Sequence, residues 1–465
     1  MSIDRRDLLK STLAAAALGL PRAARATAPR PAAPGLAQSP RPRPTASQLQ
    51  WQRDELAFFL HFGVNTFTDR EWGDGTEDPR IFAPSALDAR QWARTARAAG
   101  FRMMILTAKH HDGFCLWPTK TTAHSVASSP WRGGQGDVVR EFVDACRAEG
   151  LRAGLYLSPW DRNHPTYGDT PRYNAVYYAQ LTELLTQYGR IDEVWFDGAN
   201  GEGPNGKRQE YDWPRIWALV RELQPQAVMF SDAGPDVRWI GNESGVAGTT
   251  NWSTVDPRIV TRPGVSGDDV MRSLTSGDRE GTVWRPGETD VSIRPGWFHH
   301  AAEDARVRTP ENLVELYFSS VGRNSKLLLN VPPDRRGLLA DADVAALRGM
   351  RTRLDALFAR DLAAGARVTT RQEALRMRMQ EHVLRAPATV GVVELAEPVA
   401  DGQRVALYRL DAHDGDGWRE VARGTTIGYK RLVRIERQRV TRFRLTLEDW
   451  TELPEPVSLR CFTTA

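Results

Sequence analysis

Short apolar runs alternate with amphipathic helical segments along most of this chain, and that rhythm restricts its fold more than any other feature. LAFFLHFGVNTF (56–67) reads as a strand and LDARQWARTARAAG (87–100) as a helix closed by Gly100. FRMMILTAKHH (101–111) reads as a second, buried strand. DVVREFVDACRAEG (137–150) is a helix that starts at Asp137 and stops at Gly150. LRAGLYLSPW (151–160), YNAVYYAQLTELLTQYG (173–189), IDEVWFDGA (191–199), DWPRIWALVRELQP (212–225) and QAVMFSDAG (226–234) continue the strand–helix order. VRWIGNESG (237–245) breaks it, because it follows the previous strand with no room for a helix. Further on, ENLVELYFSSVGRN (311–324) is helical and SKLLLNVPPD (325–334) strand-like. Repeated βα units without hairpin turns predict a parallel sheet with right-handed crossovers. Near eight such strands in roughly 300 residues predict a closed (β/α)8-like TIM barrel. No Gly-rich phosphate fingerprint follows the first strand, which argues against a dinucleotide-binding fold.

After residue 360 the texture changes to short β-like runs, among them VGVVELAEP, RVALYRLDA and VTRFRLTLE, with turns such as DGDGW between them. That pattern predicts a C-terminal β-sandwich of about 100 residues. At the other end, IDRRDLLK sets Arg5-Arg6 before the apolar stretch STLAAAALGL, and Ala24-Arg25-Ala26 has the form of a cleavage site. The segment resembles a twin-arginine signal; a Sec signal would also give export, to the periplasm or beyond. The expected divisions are a signal over 1–26, a Pro/Ala-rich disordered spacer over 27–47, a barrel over 48–358 and a β-sandwich over 359–465. Most of the formal charge of +4 belongs to the signal, which holds five basic side chains against two acidic ones. The remaining charges are interspersed, so no basic stripe invites nucleic acid. No later apolar run is long enough to span a bilayer, so no membrane partner is expected after signal removal. Cys115, Cys146 and Cys461 form no metal-like or disulfide-framework spacing. The sequence carries no signal of oligomeric state.

In barrels of this class, function collects where strands end. Reading off those ends gives His61, Lys109-His110-His111-Asp112, Tyr156, Trp160-Asp161, Trp195-Asp197, Asp232, and Arg238 with Glu243. Asp197 closes the buried run of IDEVWFDGANGEG, where an Asp can simply cap a turn by accepting backbone N–H bonds. The histidines raise the question of zinc. Adjacent residues on a strand point to opposite faces, however, and no H-x-H follows the first strand, so the ligand geometry is poor. No metal or other cofactor is expected. A sugar site fits the residue types better. Trp72, Trp160, Trp195 and Trp297 can stack on C–H faces while His and Glu bond hydroxyls. Glycoside hydrolysis needs two carboxyl groups, and Asp197 supplies one.

HFGVNTFTDREWGDG, ILTAKHHDGFCLWPTKTTAHSV, GLYLSPWDRN, EVWFDGANGEGPNG, FSDAGPDVRWIGNE, DVSIRPGWF and SVGRNSKLLLNVPPDRRG run in order over residues 50–350. Together they resemble glycoside hydrolase family 29, the α-L-fucosidases, and TTIGYKRL resembles that family's C-terminal domain. The resemblance implies an often irregular barrel followed by a β-sandwich, and a retaining mechanism. It implies Asp197 as nucleophile, and His61, His110 and His111 as ligands of fucose hydroxyls. Glu71, Trp72, Tyr156, Trp195, Trp297 and Arg238 would complete the pocket. The subgroup acting on α-1,3/1,4-linked fucose carries its acid/base glutamate in an R-W-x-G-N-E segment, which here ends at Glu243. Glu71, Asp161 and Asp232 are alternatives for that role. The implied substrate is a fucosylated, Lewis-type oligosaccharide or glycoconjugate. Two rival readings are a fucosidase that also takes α-1,2 or α-1,6 links and a catalytically silent carbohydrate-binding protein. The latter would need neither Asp197 nor Glu243.

Overall fold

The computed structural model describes residues 41–463. The expected signal, 1–26, lies outside the described residues, as does most of the expected spacer. The first helix among the described residues, Ala46–Arg53, begins inside the stretch read as spacer, because Thr45 and Gln48 form a reciprocal capping box. Gln48 donates to Asp236 O and Trp284 O, and Trp51 Nε1 to Glu193, so this helix plugs the end of the barrel where strands begin.

The strands are β1 (Leu56–Leu60), β2 (Met103–Lys109), β3 (Arg152–Leu157), β4 (Glu193–Trp195), β5 (Val228–Ser231) and β6 (Val237–Trp239). A two-stranded excursion follows, β7 (Thr254–Val255) with β8 (Val283–Trp284), and then β9 (Gly287–Ser292) and β10 (Lys326–Asn330). Omitting β7 and β8, the eight others close in chain order into a barrel, each parallel to both neighbours. VRW is therefore a barrel strand. The short return over 232–236 replaces the missing helix, and the true excursion starts after Trp239. Helix starts follow the sequence signals: Asp88 caps Ala89–Ala98 and Asp137 caps Val138–Ala148, each accepting a first-turn N–H. Inside the barrel, Ala57, Phe59, Met103, Ile105, Tyr156, Trp195, Phe230 and Leu328 form one buried cluster.

The C-terminal part is antiparallel: β11 (Arg367–Ala374), β12 (Met377–Ala396), β13 (Val405–His413), β14 (Trp418–Gly424), β15 (Arg431–Trp450) and β16 (Ser458–Phe462). They form one hydrogen-bonded sheet, ordered β11-β12-β15-β13-β14 with β16 on β12. Its two long strands change register between Val383 and Ala388, and a separate core gathers Val393, Leu395, Leu410, Phe443 and Leu445. TTIGYKRL fastens this sheet to the barrel. Tyr429 N donates to Asn324 Oδ1 and Tyr429 Oη to Ser325 O, while Lys430 pairs with Glu55. Gly428 (φ +69°) must be glycine, since an added Cβ would stand 2.0 Å from Asn324 Oδ1. These contacts fall beside the starts of β1 and β10, at the end opposite the strand termini that carry the candidate site.

Candidate active site

Asp197 stands two residues past the end of β4 and is buried. Its Oδ1 caps the turn by accepting Ala199 N at 2.7 Å. Its Oδ2 is turned to Tyr156, whose hydroxyl donates at 3.2 Å, and to His111 Nε2 at 3.9 Å. The carboxylate is thus held by the backbone of its own turn on one oxygen and by Tyr156 of β3 on the other. The glycine behind it leaves room for a second acid: a Cβ on Gly198 would stand 2.4 Å from Asp232 Oδ2.

Three histidines surround this carboxylate. β2 ends at Lys109, so strand alternation no longer separates His110 from His111; their rings lie 4.2 Å apart on the same side. The hydrogen bonds fix two tautomers. Ser158 Oγ donates to Trp160 O at 2.6 Å, so it accepts from His111 Nδ1 at 2.7 Å, and His111 presents Nε2 toward Asp197. Asn330 Nδ2 donates to Trp297 O and Ser292 Oγ, so its Oδ1 accepts from His61 Nδ1 at 2.8 Å. His61 Nε2 is then left with a lone pair for an incoming hydroxyl. Burial pushes the His61 imidazole down to about 3, and burial with the neighbouring His111 and His61 holds His110 well below its ordinary value. Both are neutral hydrogen-bonding groups, suited to an uncharged polyol. His110 Nδ1 is buried, 3.9 Å from Asp112 Oδ2.

Aromatic faces complete the cup. Trp297 lies 5.1 Å from the His61 ring, Phe298 packs on His61 and His110, and Trp72 stands edge-on to His111 and Trp160 at 5.8 Å from each. Below them Tyr156, Trp195 and Phe230 are stacked in sequence, and Trp195 Nε1 donates to Glu288 at 3.0 Å. Glu243 comes four residues after β6, half-buried, in the turn that leaves the same end of the barrel. Among the described residues no group of three or more His, Cys, Asp or Glu side chains could hold a metal ion.

The alpha-L-fucosidase family profile matches residues 50–356. The chain is 45% identical over 423 residues to alpha-L-fucosidase 1 of Arabidopsis thaliana, covering 85% of this chain and 82% of the plant protein. The chain belongs to the α-L-fucosidases of glycoside hydrolase family 29. Among solved structures, a family 29 member from a rumen bacterium is 40% identical, with a TM-score of 0.85 over 91% of this chain and 78% of that one. A Ruminococcus gnavus family 29 fucosidase, solved in complex with fucose, is 30% identical, with a TM-score of 0.81 over 93% and 97% of the two chains.

In this fucosidase Arg238, expected in the pocket, and Asp161, an alternative for the acid/base role, are enclosed away from the cup, and Glu71 is bonded to backbone. Arg238 does not line the pocket. β6 turns Val237 and Trp239 inward and Arg238 outward, where its guanidinium donates to Leu274 O at 3.0 Å and to Asn251 Oδ1 at 2.7 Å. Its inward neighbour Trp239 was missed, although its Nε1 donates to Asp290 Oδ1 at 2.8 Å inside the barrel mouth. Glu71 lies against the Trp297 segment: it accepts the backbone N–H groups of Trp297 and Phe298 and a ring N–H of His300. Two of those bonds tie it to the Trp297 and Phe298 backbone. Asp161 leaves the contest for the acid/base role. Burial alone would raise its carboxyl, but the Lys109 ammonium at 3.1 Å and the His164 N–H hold it below the ordinary value. Both members of that pair are almost fully enclosed, away from any sugar. His61, His110, His111, Tyr156, Trp195, Trp72 and Trp297 do converge around Asp197. Ser158, Asn330 and Glu288, which orient them, were also missed; Glu288 and Asp290 carry the alternate-residue signal of an inward strand face.

Proposed function

We propose that this α-L-fucosidase is a retaining enzyme for α-1,3/1,4-linked fucose on branched oligosaccharides, with Asp197 as nucleophile and Glu243 as acid/base. The observation that carries the reading is the Asp197 carboxylate, pinned by Tyr156 and Ala199 at the floor of a cup that holds the neutral His61 and His110. A double displacement needs a nucleophile held rigidly under the anomeric carbon. Neutral His61 and His110 bind sugar hydroxyls without adding positive charge where an oxocarbenium-like centre develops. In the first step Asp197 attacks the anomeric carbon as Glu243 protonates the departing glycosidic oxygen. In the second, Glu243 takes a proton from water, which displaces Asp197. The linkage reading rests on the segment RWIGNE, residues 238–243.

One experiment tests mechanism and linkage together. NMR of the products from a panel of α-1,2-, α-1,3-, α-1,4- and α-1,6-fucosylated oligosaccharides should show α-L-fucose formed first, and only from the α-1,3 and α-1,4 members at appreciable rate. β-L-fucose as the first product would overturn the double displacement. Comparable release from the α-1,2 or α-1,6 members would favour the broader fucosidase. Export is proposed from Arg5-Arg6 before the apolar stretch. Changing both to Lys should leave the precursor in the cytoplasm, and unchanged export would exclude the twin-arginine route.

A further inference from the structure

His300, outside the cup, has Nδ1 2.9 Å from Asp69 Oδ1 and Nε2 3.1 Å from Glu71 Oε2. Ionised carboxylates only accept hydrogen bonds, so a ring that bonds both must carry a proton on each nitrogen. Glu71 in turn accepts the N–H groups of Trp297 and Phe298. The chain comes close here. A Cβ on Gly296 would stand 2.6 Å from Glu71 Oε2 and 3.1 Å from His300 Cδ2. On its other side Trp297 is fixed through its carbonyl by Asn330, the partner of His61. A continuous line of contacts runs from His300 to the wall of the sugar cup.

We propose that imidazolium His300 is a positioning residue, clasping Asp69 to Glu71 so that Trp297 is held against His61, and that substrate affinity therefore falls when this ring loses its proton. The inference rests on Trp297 forming a wall of the fucose pocket. A neutral ring can donate to one carboxylate only, and turns a lone pair to the other. The charged and titratable groups around the ring are Asp69, Glu71, neighbouring His299, and Glu303, which accepts Gly296 N at 3.1 Å and lies 3.9 Å from Arg306. Burial disfavours the charged ring, but the bonds to Asp69 and Glu71 outweigh it, and its pKa is raised above 6.5. The clasp is accordingly complete on the acid side and is lost as pH rises through that raised value.

The test follows KM and kcat separately across pH. In the wild type, KM should climb about tenfold on the alkaline side, the scale of one lost charge-assisted hydrogen bond, with kcat nearly level. His300→Gln, which cannot titrate, should have the raised KM at every pH. Asp69→Asn should move the KM limb to lower pH, because one of the two carboxylates favouring the imidazolium is gone. Asp69 has φ +59°, a conformation Asn tolerates, so the backbone is not disturbed. A His300→Gln enzyme with the wild-type KM profile would overturn the proposal. So would a ¹⁵N NMR titration of the wild type in which His300 is already neutral near about pH 6, below its ordinary range. Trp297→Ala separates the two readings: an unchanged KM there refutes the pocket wall, whereas the NMR titration of wild type and Asp69→Asn still decides the clasp.

Discussion

Asp197→Ala should abolish turnover of every fucoside, whatever its leaving group, by at least about four orders of magnitude, the scale on which losing a nucleophile acts. The carboxylate is required twice, as attacking group and as the leaving group that water later displaces. Asp232 lies against Gly198 beneath the same loop, and Asp161 is enclosed with Lys109. The vacated space makes the assignment sharper than a dead enzyme would. With α-L-fucosyl fluoride and azide, the small Asp197→Gly variant should form β-L-fucosyl azide by direct, inverting attack, because azide then occupies the nucleophile's side. Retained activity on an aryl fucoside, or a failure of azide to give the inverted product in a folded variant, would place the nucleophile elsewhere. Removing Tyr156 Oη with Tyr156→Phe should cost far less, since Ala199 N still holds Oδ1.

Much of this site was legible because a polar residue ending an apolar strand is conspicuous. His61, Tyr156, Trp195 and Asp197 each close a run whose other members are buried, and a parallel barrel brings those ends together whatever the intervening loops do. Legibility failed where phase was missing. β6 has three residues, too few for alternation to say whether Arg238 or Trp239 faces inward. The same uncertainty in strand length made His110 and His111 look mutually exclusive, until the strand proved to end at Lys109. Long-range hydrogen bonds were invisible for another reason. Glu71 meets Trp297 across more than two hundred residues, and nothing in E-W-G distinguishes a carboxylate that touches sugar from one that fixes a backbone. The fold was read more completely than the site because eight strands share the evidence for it, whereas each side chain's role rests on one or two contacts.

Glu243→Ala should separate the two carboxyl groups by what each must do. A general acid matters in proportion to how poorly the leaving group departs unaided, so loss on a fucosylated trisaccharide should be about 10²–10⁴-fold. On α-L-fucosyl fluoride, whose fluoride leaves without a proton, the first step should survive. The second step still needs a base to activate water, so the fucosyl-Asp197 ester should accumulate and be visible as a mass increase on the intact protein. Azide needs no deprotonation and should enter from the side that Glu243 vacates, giving α-L-fucosyl azide, the opposite anomer from the Asp197→Gly product. Two variants and one nucleophile thus report the face of the sugar on which each carboxyl group stands. The turn that holds Glu243 is set by Asn242, whose side chain accepts from Ser244 N at 3.1 Å and donates to Val246 O at 2.9 Å. Glu243→Ala leaves those bonds in place, and an unchanged near-UV circular dichroism spectrum would show that the fold around the loop is kept. If Glu243→Ala keeps near-normal trisaccharide activity, or its rescue yields the β-azide, the acid/base assignment fails and Asp232 is the next carboxyl group to test, since it lies closest to the Asp197 turn.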